Sequence, residues 1–121
     1  MSTVVSQTPV EDVIRSKIVE ALKPSTLEIY NDSHLHSHHE AMRGGTSRET
    51  HFRLVITSAA FKSKMQPARH RMVYSLLKEE MERPGGIHAL QLRTRTLEEE
   101  GRQKEREKQE QGEMIADVEQ L

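Results

Sequence analysis

The sequence predicts a small two-layer α+β domain with a charged segment behind it. Three observations predict it. Helical and strand-like periodicities alternate in the order helix, strand, strand, helix, strand. Hydrophobic residues make up 34% of the chain and aromatics only 3%, so the core is small and aliphatic. From about Leu97 the composition changes abruptly, and residues 98–113 contain no large apolar side chain. The domain is therefore expected over residues 9–97. Residues 98–121 are expected to be a charged tail, helical or disordered.

The first helix opens at Thr8-Pro9-Val10-Glu11. Thr8 suits the cap, Pro9 the first helical position, and Glu11 is placed to complete a capping box. Val10, Val13, Ile14, Ile18, Ala21 and Leu22 recur at helical spacing, and Pro24 stops the helix. Leu27-Glu28-Ile29-Tyr30 alternates and reads as a strand with Leu27 and Ile29 inward. Residues 31–48 are polar, with Gly44-Gly45 marking a turn or loop. Thr50 to Ser58 is rich in β-branched and apolar residues and reads as a central strand. Pro67 opens the second helix, with Met72, Val73, Leu76, Leu77 and Met81 as its buried stripe. Pro84-Gly85-Gly86 ends it, and Ile87 to Thr94 reads as the third strand.

Net charge is −1, but it is divided unevenly. Residues 1–97 hold 14 Lys/Arg against 10 Asp/Glu, whereas residues 98–121 hold 4 against 9. A mildly basic domain thus precedes an acidic segment. No apolar run approaches the ~20 residues of a membrane span, so no membrane partner is expected. The absence of cysteine excludes disulfides and fits a reducing compartment. The polar start of the chain lacks both a signal-peptide core and an arginine-rich transit pattern, which by itself points to cytoplasm or nucleus. No nucleophile–base arrangement, glycine elbow or P-loop is found, so neither an enzyme nor a small-molecule substrate is expected.

Seven histidines stand against no cysteine, and His34, His36, His38 and His39 fall within six positions. A metal or cluster bound here would take imidazole from this chain and any thiolate from a partner. If residues 34–38 are extended, His34, His36 and His38 share one side. His88 stands alone after the Gly-Gly turn, at the start of the third strand. There it either projects from an anchored backbone or, by strand parity with Leu90 and Leu92, lies half-buried. His51 alternates with Phe52, and either lines the same groove as His88 or is merely exposed. Lys62, Lys64, Arg69 and Arg71 form a basic patch, with His70 among them, in a stretch without acidic residues from 59 to 78. That patch suits nucleic-acid phosphates, an acidic protein face, or simple solvation. A Gly-x-x-Gly clamp and aromatic platforms are both missing, which weakens the nucleic-acid reading. His70 fits a structural role near the helix start better than a ligand role.

Asn31-Asp32-Ser33-His34, Glu49-Thr50-His51-Phe52, Phe61, Arg69-His70-Arg71-Met72-Val73-Tyr74, His88-Ala89-Leu90 and Thr94-Arg95-Thr96 stand in the order and spacing of the BolA family. The chain resembles the branch of that family whose loop carries histidine instead of cysteine, the branch of the mitochondrial BolA-like proteins. The resemblance covers about residues 9–97. It implies a fold like the class II KH domain, αββααβ with a three-stranded mixed sheet. It also implies a monothiol glutaredoxin as partner and an adaptor role in iron–sulfur cluster maturation or iron signalling. By alignment, His88 matches the C-terminal histidine that ligates a shared 2Fe–2S cluster, and His36 the second ligand of the loop, with His34 or His38 as alternatives. The thiolates would come from the glutaredoxin cysteine and glutathione, and the chain alone is expected to be apo. Such mixed ligation lowers the negative charge on a cluster and raises its potential. Because the bound nitrogen must be unprotonated, binding should weaken as pH falls through the histidine range. The resemblance favours mitochondria over the cytoplasm or nucleus. The alternative is a nucleic-acid-binding regulator acting through Arg69–Arg71, with DNA as partner. Two departures stand out: Ser63 where the family carries Gly after Phe-x, and Leu97 where it carries Pro after Thr.

Overall fold

The computed structural model describes residues 6–33 and 49–119, with side chains as far as residue 112. Helix α1 spans Pro9–Leu22, and strands β1 and β2 span Thr26–Asn31 and His51–Thr57. A 3-10 turn, Ala59–Phe61, leads to helices α2 (Gln66–Leu76) and α3 (Lys78–Glu82). Strand β3 covers Ala89–Arg95 and helix α4 Leu97–Glu119. The sheet order is β1-β2-β3, antiparallel between β1 and β2 and parallel between β2 and β3. This is an α+β fold with a three-stranded mixed sheet, as the sequence predicts.

Alternation along β2 sets the two faces of the sheet. Phe52, Leu54 and Ile56 point inward and are buried with Ile14, Ile18 and Leu22 of α1, Phe61, Val73, Leu77, Ile87 and Leu90. Leu27 and Ile29 of β1 pack against this core, as do Met72, Leu76 and Met81. The opposite face carries His51, Arg53 and Val55, paired across the sheet with Ala89, Gln91 and Arg93.

The start of α1 differs from expectation. Thr8 makes no side-chain cap, and its hydroxyl donates to Asp12 Oδ1 at 3.1 Å instead. The Val10 and Glu11 amides donate to the two carboxylate oxygens of Glu49, at 3.1 and 3.0 Å. A buried carboxylate from just before β2 thus takes the place of the predicted capping box, because it satisfies two orphan amides and meets the positive end of the helix. At the other end, Lys23 adopts a left-handed φ of 44° and the Ser58 hydroxyl donates to the Leu22 carbonyl.

Helix α4 is anchored by polar contacts rather than an apolar face. Thr96 and Glu99 form a reciprocal capping box, with Thr96 N–H to Glu99 Oε1 at 2.7 Å and Glu99 N–H to Thr96 Oγ1 at 3.2 Å. Glu100 is buried against the far face of the sheet, accepting from the Thr57 hydroxyl at 2.6 Å and pairing with Arg95 at 3.2 Å. Residues 101–112 are otherwise almost all exposed. Sequence periodicity finds only apolar faces, so this anchor was not foreseen.

Candidate functional site

The site is assembled where β2 and β3 begin. Ser33, two residues past the end of β1, is buried, and its Oγ accepts the Thr50 and His51 amides at 2.8 and 3.1 Å. Thr50 is buried beside it. Its carbonyl accepts two amides, from His88 at 2.7 Å and from Ala89 at 3.1 Å. Its hydroxyl lies 2.8 Å from His51 Nδ1. One residue therefore fixes the backbone of His88 and the ring of His51.

His88 is exposed. Strand parity with Leu90 and Leu92 pointed to a half-buried ring, and the structure corrects that alternative. The strand begins one residue later, at Ala89, and the shared Thr50 carbonyl interrupts the alternation before it. The ring thus projects from a backbone held on both sides. The turn ahead of it is sterically determined. Gly85 has φ +75°, and a Cβ on Gly86 would lie 2.1 Å from the Glu80 carbonyl oxygen. Glu80 O also accepts the Ile87 amide at 2.9 Å. The Glu80 side chain, 3% exposed, holds Lys17 Nζ with both oxygens, at 2.8 and 2.9 Å. That contact raises the Lys17 pKa and ties α1 to the turn that aims His88.

His51 is partly buried, and its ring centroid lies 6.2 Å from that of His88. The two rings are therefore neighbours at the start of β2 and β3, and His51 is not merely exposed. Among the described residues, no group of three or more His, Cys, Asp or Glu side chains could hold a metal ion. His36, His34 and His38 lie outside the described residues, in the segment joining Ser33 to Glu49. Both ends of that segment are anchored beside His51 and His88, through Ser33 and Thr50. Ser33, Thr50, Glu49 and Glu80 were assigned no role from sequence. The usable signal was positional, since three of them flank the histidine-rich stretch of sequence.

The basic patch divides. Lys62, Lys64 and Arg71 are exposed and His70 is half-buried. Arg69 is 6% exposed, and its guanidinium donates to the Lys64 carbonyl at 2.8 Å, the Thr94 carbonyl at 3.2 Å and Glu99 Oε1 at 2.6 Å. It clamps the 3-10 turn, the end of β3 and the start of α4 together. Counting Arg69 among surface contact residues is therefore corrected: it is a buried structural cation. Its hydrogen bond, joined by the Thr96 amide, holds the Glu99 carboxyl at about 2. On the open sheet face, Asp32 pairs with Arg53 at 2.6 Å and raises its pKa, and Arg53 lies over the Tyr30 ring at 4.4 Å.

Comparison with known proteins gives one consistent family. The family described as BolA-like protein matches residues 18–99. The UV-induced protein uvi31 of Schizosaccharomyces pombe is 51% identical over 83 residues, covering 68% of this chain and 79% of that one. BolA-like protein 1 of Homo sapiens is 42% identical over 88 residues, covering 73% of this chain and 58% of the human protein. SufE-like protein 1, chloroplastic/mitochondrial, of Arabidopsis thaliana is 42% identical over 85 residues, which span 69% of this chain and 22% of that one. Among solved structures, BolA1 from Arabidopsis thaliana superposes with a TM-score of 0.65 at 35% identity, covering 78% of this chain and 95% of that one. The BolA domain of SufE1 from Arabidopsis thaliana gives 0.63, also at 35% identity, covering 78% and 99%. Fold, motifs and matched relatives agree, and this chain belongs to the BolA-like family.

Proposed function

We propose that this chain is a BolA-like adaptor that binds a monothiol glutaredoxin and contributes imidazole ligands to a 2Fe–2S cluster the two proteins share. Its role is cluster maturation or delivery, or an iron-dependent signal, and its compartment is the mitochondrion. The observation that carries the reading is the exposed His88 ring on a backbone pinned by Thr50 and the Gly85-Gly86 turn. A ligand carried on a backbone held this way needs no local backbone rearrangement on binding. His36, matched by alignment, supplies the second imidazole. With no cysteine in the chain, the thiolates come from glutaredoxin and glutathione, and the chain alone carries no cluster. A relative that joins a BolA domain to a SufE-like protein, and whose name places it in chloroplast and mitochondrion, supports the iron–sulfur and organelle parts of the reading.

In this mechanism the protein does not transform a substrate. It would present imidazole nitrogens from a backbone held by Thr50 and the Gly85-Gly86 turn, and would tune the cluster through its ligands. Nucleic acid is the weaker alternative, since the burial of Arg69 leaves Lys62, Lys64 and Arg71 as a thin basic face. Size-exclusion chromatography of the chain with a cluster-loaded monothiol glutaredoxin and glutathione tests the proposal. Co-elution of both proteins with visible absorbance is expected. Separate elution, together with salt-resistant binding to DNA, would move the assignment to nucleic acid.

A further inference from the structure

The turn that carries His88 springs from a helix too short to hold itself. Helix α3 has five residues and no side-chain cap, below the length at which a helix persists alone. Its one buried residue is Glu80. The Glu80 carboxylate reaches across to α1 and takes the Lys17 ammonium with both oxygens, at 2.8 and 2.9 Å. Lys17 stands on α1 between Ile14 and Ile18, which are fully buried. The main-chain carbonyl of the same Glu80 accepts the Ile87 amide at 2.9 Å, and the Gly86 amide donates to the Arg83 carbonyl at 2.9 Å. We propose that Lys17 and Glu80 are positioning residues for His88, their ion pair fixing the turn so that the imidazole meets the shared cluster from one direction. The inference rests on the adaptor reading above.

Stability does not account for this pair. A carboxylate withdrawn from water loses about as much solvation as one cation gives back, and a well-packed apolar pair in its place is often neutral or better. What the charges add is direction. Two oxygens on one ammonium fix the Glu80 side chain, and with it the α3 backbone, against α1. The further charged groups about the pair are Glu79, 3.7 Å from Lys17, and Arg83, 3.9 Å from Glu80, and both are largely exposed. The two holds on His88 are thus of different origin. Its own amide is tied to the sheet through the Thr50 carbonyl at 2.7 Å, and the turn behind it is tied to α1 through Glu80. Without the second hold the turn pivots on the first, and the exposed ring sweeps a wider volume.

The test replaces the pair by apolar side chains, Lys17→Met together with Glu80→Met, in the full chain. Three quantities are read: the urea midpoint, hydrogen exchange of the Ile87 amide in the chain alone, and the lifetime of the cluster shared with a monothiol glutaredoxin and glutathione. The midpoint should stay at or above that of the native chain. The Ile87 amide should exchange at least about tenfold faster. The cluster should be lost roughly tenfold faster. Lys17→Arg keeps the charge and should restore both rates toward native values. Glu80→Gln keeps the side-chain shape and should show the same two accelerations, so the test does not hang on the folding of the double variant. A midpoint that falls in step with the exchange rate would overturn the proposal, because global opening would then explain both. Faster exchange with an unchanged cluster lifetime, or native values of both, would overturn it alone. No complex with the native chain would overturn the adaptor reading and the proposal with it.

Discussion

Ser63 and Gly86 show how single backbone positions shape this fold. Ser63 has a φ of 65°, a left-handed conformation that costs a side-chain-bearing residue about 1–2 kcal/mol. Ser63→Gly should relieve that strain but also loosen the unfolded chain, for a net gain of about 0.5 kcal/mol. Urea unfolding measures it, and a loss of stability would contradict the strain. Gly86 is the opposite case. An added Cβ would meet the backbone oxygens of Glu80 and Arg83 at 2.1 and 2.9 Å. Gly86→Ala should therefore cost at least about 2 kcal/mol and shift the amide of His88. An unchanged melting curve with unshifted His88 resonances would count against it. The position of Ser63 was legible as a departure from a family glycine, whereas its φ was not. Spacing alone also could not show that Thr50 reaches both His51 and His88, because β2 and β3 are parallel and about 40 residues separate the two histidines.

At the scale of elements, the instructive case is α4. Its first turn is acidic, as suits a helix N-terminus, and its carboxylates reach the fold through Arg69, Arg95 and Thr57. The Thr57 hydroxyl and, further along, Lys104 lower the Glu100 pKa, while Arg69 and the Thr96 amide hold Glu99 near about 2. A carboxyl depressed in the folded state stabilises it at pH above the ordinary 4.5 and loses that contribution as pH falls toward about 2. Stability should thus drop through this window, and Glu99→Gln should flatten the drop while costing roughly 1–3 kcal/mol near neutral pH by leaving Arg69 underpaired. Urea midpoints against pH decide it, and equal slopes for the two proteins would contradict the anchor. Strands and helices with apolar stripes were legible, because burial imposes a period. The anchor of α4 and the Glu49 cap of α1 were not, because each joins polar groups distant in sequence with no repeating pattern. The third strand was placed two residues early for the same kind of reason. Ile87 is buried, so it mimics a strand residue, but the chain bends at His88 before pairing begins.

The whole molecule has a compact basic body with a long acidic helix leading away from it. Beyond Lys104 the described helix side chains are exposed, so their removal should leave the core intact. A chain lacking residues 105–121 should unfold within about 0.5 kcal/mol of the full one, and a larger loss would place that segment in the folding unit. The body positions an exposed imidazole on an anchored backbone, in a chain that has no thiolate of its own. The family and the fold were readable from separated motifs in register. The most direct measurement is visible absorption and circular dichroism of the chain mixed with a cluster-loaded monothiol glutaredoxin and glutathione, beside the His88→Ala variant. The adaptor account predicts a changed cluster spectrum with the native chain that is lost in His88→Ala. An unchanged spectrum with no complex, or an identical change in the variant, would contradict it.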